Sequence, residues 1–287
     1  MTDLLLHETL PGLRKELDRR RAGGQTIALV PTMGNLHEGH LTLAAAARAA
    51  CDVVVATIFV NPLQFGPKED LARYPRTFAA DIAALQENGC DYLYAPAASE
   101  IYPDGPTVHT RVSVPEISSL HCGHSRPGHF DGVCTVVCKL FNMIQPDAAF
   151  FGYKDYQQFH LINTMVRDLY LPVRLHGVAT VRESSGLAMS SRNGYLTAQQ
   201  REQAAALYAT LLQTADRIKA GGSDFRRLEK AASATLAAAG LQPDYVHICK
   251  RDTLHLAERN ESDLVILAAV YAGTTRLIDN IFVHAAA

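Results

Sequence analysis

Residues 28–50 read ALVPTMGNLHEGHLTLAAAARAA, and this stretch decides the fold. The apolar run at 27–30 predicts a β-strand, Gly34 permits a tight turn, and the alanine-rich pattern at 40–50 predicts an α-helix. His37 and His40 lie three positions apart, so both imidazoles can share one face of the first helical turn. Backbone N–H groups at a helix start lack intrahelical partners and favour negative charge. The stretch therefore predicts a phosphate site, although two solvated histidines at a helix start would fit the same pattern.

Strands and helices alternate through the first two-thirds of the chain. The pattern predicts strands at 27–30, 53–60, 92–95, 148–151 and 173–181, and helices at 40–50, 77–88, 132–145 and 154–169. Continuous apolar strands between helices indicate a parallel sheet that is covered on both faces. Right-handed crossovers make residues 1–181 an α/β domain with a Rossmann-like, doubly wound parallel sheet. Ligands bind such a sheet at the carboxyl ends of its strands.

The pattern changes after residue 181. Thr197 and Gln200 form a capping box that starts a helix predicted to continue to residue 220, and a second helix is predicted at 225–239. Three further strands are predicted at 244–249, 264–271 and 275–282. Helices followed by neighbouring strands indicate a smaller C-terminal α+β domain over residues 182–287, which we expect to act as a lid.

Composition excludes several classes of protein. The chain has 287 residues, 48% of them hydrophobic, and a net charge of −2, so nothing indicates a nucleic-acid or membrane partner. Residues 1–21 carry charges throughout, unlike a signal peptide, and no apolar run reaches the roughly 18 residues of a membrane span. The six cysteines are scattered without a C-x-x-C pair, which predicts core residues rather than disulfides. We therefore expect a cytoplasmic protein.

Two histidine-containing segments resemble metal sites. The HEGH sequence at 37–40 spaces its histidines three apart, whereas a zincin needs them four apart. The segment HCGHSRPGH at 121–129 contains His121, Cys122, His124 and His129, but it has no second ligand pair at zinc-site spacing. Its glycine and proline residues predict a loop that covers the substrate or is solvated, rather than a structural metal site.

Three polar segments can handle phosphate or a small acid, since the chain has neither a P-loop nor a G-x-G-x-x-G fingerprint. They are NPLQFG at 61–66, FGYKDYQQ at 151–158 and MSSRN at 189–193. Taken alone, each segment would also fit a purely structural role, as an amide cap, a solvated Lys–Asp pair or a polar linker. Together they fall where an α/β domain binds its ligands.

The segments PTMGNLHEGH, NPLQFG, YPRT, RPGHFDGV, FGYKDYQQ and MSSRNGYL, in this order, resemble the pantoate–β-alanine ligase family. That family belongs to the HxGH nucleotidyltransferases, which are related to class I aminoacyl-tRNA synthetases. The resemblance implies ligation of pantoate and β-alanine to pantothenate through a pantoyl adenylate, with ATP as substrate, Mg²⁺ as cofactor, and AMP and pyrophosphate as products. It also implies small molecules as the only substrates, and a homodimer.

The resemblance further implies roles for single residues. His40, as the acid, and His37, Lys154 and Arg192 would be catalytic. The residues implied in ATP binding are Met33, Gly34, His37, His40, Gly152, Lys154, Asp155, Val181, Met189, Ser190, Ser191 and Arg192. Gln64 and Gln158 would bind pantoate, Gln64 would also bind β-alanine, and Asp81 is the candidate for a Mg²⁺ contact.

The chain departs from common family residues at a few positions. Tyr153 stands where many relatives have Glu, Ser185 replaces a frequent Asp, and Ala79 and Ala80 precede Asp81 where some relatives carry an acidic run. The roles of Tyr153, Ser185 and Asp131 stay open. Two alternative functions also stay open: another HxGH adenylyltransferase, and a non-catalytic protein that binds a small molecule or metal.

Overall fold

The computed structural model describes residues 4–67, 69–259 and 261–285, which divide into two compact units. The first contains the described residues up to Ser119 together with Gly123–Tyr153 and Gln158–Ala179. The second contains Leu120–Cys122, Lys154–Gln157 and the described residues from Thr180 onward. The main division therefore lies two residues before the predicted boundary at 181, and the lid role of the C-terminal part stays a prediction.

The first unit is built on the predicted parallel sheet. Its six strands are β1 (Leu5–His7), β2 (Ile27–Thr32), β3 (Val53–Ile58), β4 (Tyr92–Tyr94), β5 (Ala148–Gly152) and β6 (Arg174–Val178). They are ordered β1-β4-β3-β2-β5-β6 and every pair is parallel. The chain moves from β2 to β3 in one direction and later adds β5 on the other side, so β2 lies at the switch point where such sheets bind ligands. The predicted α/β class is confirmed.

Eight helices accompany this sheet within the described ranges. They are α1 (Leu10–Ala22), α2 (Glu38–Ala50), α3 (Phe78–Glu87), α4 (Ala98–Ile101), α5 (Pro115–Ser119), α6 (Cys122–Ser125), α7 (His129–Ile144) and α8 (Tyr156–Asp168). The sequence pattern does not predict β1 or α1. Only Leu13 and Leu17 of α1 are buried, and this stripe is too narrow to stand out in a strongly charged segment.

The segment at 121–129 is not the loop that the sequence predicts. Cys122–Ser125 form a helical turn, and α7 begins at His129, directly after Gly128 with its left-handed φ of 81°. The helix therefore starts three residues before the predicted position at 132. Phe130 explains the extension, because its ring is 4% exposed and continues the apolar face of α7 toward the N-terminus.

The second unit has the predicted α+β composition. Its helices are α9 (Ala198–Ala204), α10 (Ala206–Lys219) and α11 (Phe225–Ala238), and its strands are β7 (Gln242–Lys250), β8 (Asp263–Ala272) and β9 (Thr275–His284). The strands form an antiparallel sheet in the order β7-β8-β9. Thr197 and Gln200 make the predicted capping box, but the single helix predicted to residue 220 is interrupted at Ala205.

Across the described ranges, no helix is both long enough and apolar enough to cross a membrane.

The core of the second unit provides a matched pair of leucines. Leu211 is fully buried, whereas its neighbour Leu212 on α10 is 38% exposed. We expect Leu211→Ala to lower the free energy of unfolding by about 2–5 kcal/mol, because it leaves a cavity. Leu212→Ala removes the same atoms from the same helix and should cost less than about 1 kcal/mol. Denaturant titrations followed by circular dichroism measure both values, and equal losses would contradict the described packing.

Candidate active site

The chain leaves β2 through a tight, left-handed turn. Gly34 and Asn35 have φ values of 79° and 51°, and the Thr32 hydroxyl accepts a hydrogen bond from the Gly34 N–H at 3.1 Å. A Cβ on Gly34 would lie 3.1 Å from Ile58 Cγ2 and 3.2 Å from Asp81 Oδ2. Space and torsion therefore both require glycine here.

A buried carboxylate holds this turn. Asp81, in the first turn of α3, is 3% exposed and accepts hydrogen bonds from the backbone N–H groups of Asn35 and Leu36, each at 2.9 Å. The Thr77 hydroxyl donates a third bond to Asp81 Oδ1 at 3.0 Å. Bonds to an ionised acceptor are stronger than bonds between neutral groups, so Asp81 fixes the backbone that leads into α2. The Mg²⁺ contact of Asp81 stays a prediction.

The two motif histidines cap the helix that follows. His37 Nδ1 accepts from the Gly39 N–H at 3.1 Å, and the His37 N–H donates to His40 Nδ1 at 3.3 Å. Backbone N–H groups can only donate, so both Nδ1 atoms are acceptors, and each neutral imidazole carries its proton on Nε2. The ring centroids lie 4.1 Å apart. The fold therefore sets the tautomer of both histidines.

Four backbone N–H groups in and just before this helix start, which the sequence predicts to lack intrahelical partners, donate to side chains. Asp81 accepts from Asn35 and Leu36, while the two imidazoles accept from His37 and Gly39. These four amides are therefore used within the fold, and the donor protons of the two histidine side chains are on Nε2.

Gln64 ends a short 3₁₀ turn, Pro62–Gln64, that α7 holds from behind. His129 Nδ1 donates to the Gln64 carbonyl at 2.8 Å, and Arg126 Nη2 donates to it at 3.2 Å. A Cβ on Gly132 would lie 2.4 Å from the Leu63 carbonyl oxygen, so glycine allows α7 to approach the turn. The segment RPGHFDG at 126–132 thus positions Gln64. Sequence reasoning missed this role, since no pattern links two segments some 65 residues apart.

The Arg126 side chain is itself anchored by Glu69. Arg126 Nε and Nη2 donate to the two Glu69 carboxylate oxygens at 2.6 and 2.7 Å. Burial would raise the pKa of Glu69, but the hydrogen bond and charge of Arg126 outweigh it, so the pKa of Glu69 is lowered. This pair keeps the guanidinium in place for its bond to the Gln64 turn.

The other candidates of the first unit lie on β5, the β2 turn and α8. Met33 is half-buried next to Gly34, Gly152 ends β5 in register with Val178, and Gln158 is half-buried in the first turn of α8.

The second unit carries the MSSRN candidates on a closed loop. The Met189 N–H donates to the Val181 carbonyl at 3.0 Å, so the two residues lie across from each other at the base of the loop. Ser190 Oγ accepts from the Arg192 N–H at 3.2 Å and starts the 3₁₀ helix Ser191–Tyr195. These bonds hold Ser190, Ser191 and Arg192 in one compact turn.

Lys154 and Asp155 also belong to the second unit. Their side chains pair at 3.6 Å while half-exposed, a geometry that contributes little by itself. Asn280 Nδ2 donates to the Lys154 carbonyl at 2.9 Å, which fixes the Lys154 backbone against β9. The neighbouring Asp279 is buried and receives two bonds from Arg182, at 2.6 and 3.0 Å. Burial raises the pKa of Asp279, and the charges of Arg182 and Lys154 oppose that rise.

The three positions whose roles were open have structural contacts. The Tyr153 ring lies on Gly177, where a Cβ would approach Tyr153 Cε1 to 2.0 Å. Ser185 Oγ accepts from the Leu187 N–H at 3.4 Å, and Asp131 Oδ1 accepts from the Ser113 hydroxyl at 2.7 Å.

The histidine- and cysteine-rich segment does not converge on one point. His129 bonds to the Gln64 turn and His124 is exposed, while His121 Nε2 donates to the Leu254 carbonyl at 2.7 Å. Cys122 Sγ lies 3.0 Å from the Tyr245 hydroxyl. In the part of the chain that the structure describes, no three His, Cys, Asp or Glu side chains are grouped so as to hold a metal ion.

Comparisons with known proteins agree with these motifs. The family model described as pantoate-beta-alanine ligase matches residues 6–282. The pantothenate synthetase of Pseudomonas putida (strain W619) is 56% identical over 277 residues, which cover 96% of each chain. The pantothenate synthetase of Hahella chejuensis is 53% identical over 272 residues, which cover 95% of this chain and 96% of the relative. The crystal structure of pantothenate synthetase from Thermus thermophilus has a TM-score of 0.92 at 44% identity, covering 98% of this chain and 100% of that chain. Pantoate-beta-alanine ligase from Francisella tularensis, complexed with beta-gamma ATP and beta-alanine, has a TM-score of 0.80 at 34% identity, covering 97% of each.

The close approach at Gly132 gives a direct test of how the Gln64 turn is held. We expect Gly132→Ala to destabilise the protein by about 1–3 kcal/mol, because the new methyl group overpacks against the Leu63 carbonyl. Gly66→Ala, two residues beyond this turn, is the control, since its Cβ would meet Glu69 only at 3.7 Å. Thermal unfolding measures the stability of both variants. A Gly132→Ala protein as stable as Gly66→Ala would show that the close approach at Gly132 does not hold the Gln64 turn.

Proposed function

The chain belongs to the pantoate–β-alanine ligase family, and from this premise we propose that it activates pantoate as an acyl adenylate before β-alanine attacks. The main function expected from the sequence is thus supported, and neither alternative is, because the matched family and relatives are named as pantoate–β-alanine ligases or pantothenate synthetases. In the proposed reaction, pantoate and ATP give pantoyl adenylate and pyrophosphate, and β-alanine then displaces AMP to give pantothenate.

The main support for the adenylate step is the tautomer that His37 and His40 share. Both Nδ1 atoms accept backbone hydrogen bonds, so both imidazoles carry their donor proton on Nε2, at the helix start beside the switch-point strand. When a carboxylate attacks the α-phosphorus, negative charge spreads over the phosphoryl oxygens and the departing pyrophosphate. Donors that are already oriented stabilise this charge without reorganisation. This arrangement supports adenylyl transfer, with His40 as the acid.

The remaining roles follow the family motifs and are part of the same proposal. Lys154, Ser190, Ser191 and Arg192 bind the triphosphate, with Lys154 and Arg192 stabilising the charge that develops on it. Met33, Gly34, Gly152, Asp155, Val181 and Met189 complete the ATP contacts. Gln64 and Gln158 bind pantoate, and Gln64 also contacts β-alanine. Neutral amides suit a substrate whose carboxylate acts as the nucleophile, because a tightly paired cationic side chain would lower the nucleophilicity of that carboxylate.

Cofactor, assembly and compartment complete the proposal. Mg²⁺ accompanies the triphosphate and is held largely by ATP oxygens and water, with Asp81 as the candidate protein contact. The chain acts as a homodimer in the cytoplasm, as the family implies. All six cysteines are free thiols, which suits a reducing compartment.

Isotope exchange tests the proposed intermediate. Labelled pyrophosphate should enter ATP when pantoate is present and β-alanine is absent, because adenylate formation is then reversible and isolated from the second step. The same mixture without pantoate is the control and should show background exchange only. Formation of ADP and phosphate instead of AMP and pyrophosphate would exclude the adenylate.

His40→Asn separates the catalytic role of His40 from its capping role. Asparagine Oδ1 can replace Nδ1 as the acceptor for the His37 N–H, but it supplies no donor at the Nε2 position. We expect the rate of adenylate formation to fall about 10²- to 10³-fold, as when one oriented oxyanion donor is lost. ATP affinity should change much less, because ground-state contacts remain.

The measurements for this variant are single-turnover adenylate formation and ATP binding by calorimetry. Exposed His124, substituted by Asn, is the control and should behave as the parent. If His40→Asn keeps the parental rate within about threefold, His40 only caps the helix.

A further inference from the structure

The amide of Asn61 is held in one orientation by four groups. Asn61 is fully buried, and its Oδ1 accepts from the Leu63 N–H at 3.3 Å and faces the Tyr102 hydroxyl at 2.9 Å. Its Nδ2 donates to the Gly132 carbonyl at 3.1 Å and faces Gln64 Oε1 at 3.0 Å. A backbone N–H only donates and a carbonyl only accepts, so Leu63 and Gly132 fix which end of the amide is oxygen.

The orientation of Asn61 determines that of Gln64. Both Asn61 N–H donors are used, one on Gly132 and one on Gln64, so the Gln64 atom that faces Asn61 must be the acceptor Oε1. The amino group of Gln64 is then the end that remains for a ligand, and among the described residues no group bonds to its Nε2. On the Oδ1 side of Asn61, the Tyr102 hydroxyl must donate.

We infer that Tyr102 is a positioning residue for pantoate: its hydroxyl, acting through Asn61, holds the Gln64 amide with its two N–H donors toward the substrate. This inference rests on the proposed role of Gln64. Pantoate offers a carboxylate and two hydroxyl groups, whose oxygens all accept hydrogen bonds. A reversed Gln64 amide would set its carbonyl oxygen against the carboxylate, which is repulsive. The Tyr102–Asn61–Gln64 chain therefore selects for acceptor oxygens.

The surroundings of Tyr102 suit this role. The side chain is 2% exposed, and burial raises the pKa of its phenol, so the hydroxyl keeps its proton at neutral pH. The ring lies 5.2 Å from His109 and 5.3 Å from the Lys139 ammonium. Phenylalanine would keep these ring contacts and remove only the hydroxyl. A Tyr102→Phe variant therefore isolates the bond to Asn61.

Tyr94→Phe is a matched control in the same unit. Tyr94 is fully buried, and its hydroxyl has no hydrogen-bond partner within the described residues. The measurement is steady-state kinetics of Tyr102→Phe and Tyr94→Phe with each substrate varied in turn, and we expect the two variants to differ in kcat/KM for pantoate. We expect Tyr102→Phe to lower kcat/KM for pantoate about five- to twentyfold, the range for one lost hydrogen bond, while the KM for ATP stays within about twofold. Tyr94→Phe should leave both within about twofold of the parent.

A double-mutant cycle tests that the effect passes through Asn61. Asn61→Asp keeps an acceptor for Tyr102 but cannot donate to Gln64, so it should lower kcat/KM for pantoate at least as much as Tyr102→Phe does. Adding Tyr102→Phe to Asn61→Asp should change little further, because both act on one chain of bonds. Additive losses would mean that Tyr102 acts by another route and would overturn the inference.

Gln64→Ala separates failure of the inference from failure of the proposed function. If Gln64→Ala lowers kcat/KM for pantoate while Tyr102→Phe matches Tyr94→Phe, Gln64 binds pantoate and the positioning role of Tyr102 is wrong. If Gln64→Ala leaves pantoate kinetics unchanged, the proposed role of Gln64 is wrong, and the inference fails with it. Melting temperatures of both Tyr→Phe variants that lie well above the assay temperature show that the kinetic difference is not caused by unfolding.

Discussion

The hydrogen bonds from Asn35 and Leu36 to the Asp81 carboxylate are the constraint on which the first unit's site depends. A left-handed turn at Gly34 and Asn35 is costly for any residue with a side chain, and it persists because a buried anion receives its N–H groups. The turn delivers the chain into α2 so that His37 caps the helix and His40 reaches back to the His37 N–H. Side-chain chemistry at this site thus begins with a backbone conformation that another helix stabilises.

A common arrangement recurs at the proposed ligand-binding side chains of this unit. His37 and His40 each use Nδ1 to accept a backbone hydrogen bond, which places the proton on Nε2. Gln64 uses Oε1 to accept from Asn61, which leaves its amino group as the donor end. In all three side chains, one polar atom accepts a hydrogen bond from within the protein. The other polar atom is therefore a hydrogen-bond donor. The protein therefore pays the cost of orienting its donors during folding and not during the reaction.

The sequence predicted the parts of this structure that depend on local pattern. The strand, turn and helix around Gly34 and His40 lie where apolar periodicity placed them, and the parallel sheet follows from the continuous apolar strands. Two kinds of feature were not predicted by the sequence pattern. Charged α1 lacks a broad apolar face, and the interruption of the long helix at Ala205 leaves no mark in an alanine-rich pattern. Contacts distant in sequence, such as Asp81 with the turn or Tyr102 with Asn61, depend on the completed sheet, and no local pattern predicts them.

The contact between Gly132 and the Leu63 carbonyl also has an evolutionary consequence. Gly132 lies within α7 and adopts ordinary helical torsions, so its identity is fixed by the other segment and not by its own backbone. A larger residue becomes tolerable only after the Pro62–Gln64 turn has withdrawn, and that withdrawal would carry Gln64 with it. The two segments can therefore diverge among descendants of this protein only by paired substitutions. A lineage that changed one segment alone would lose the turn's position before it gained any new side chain.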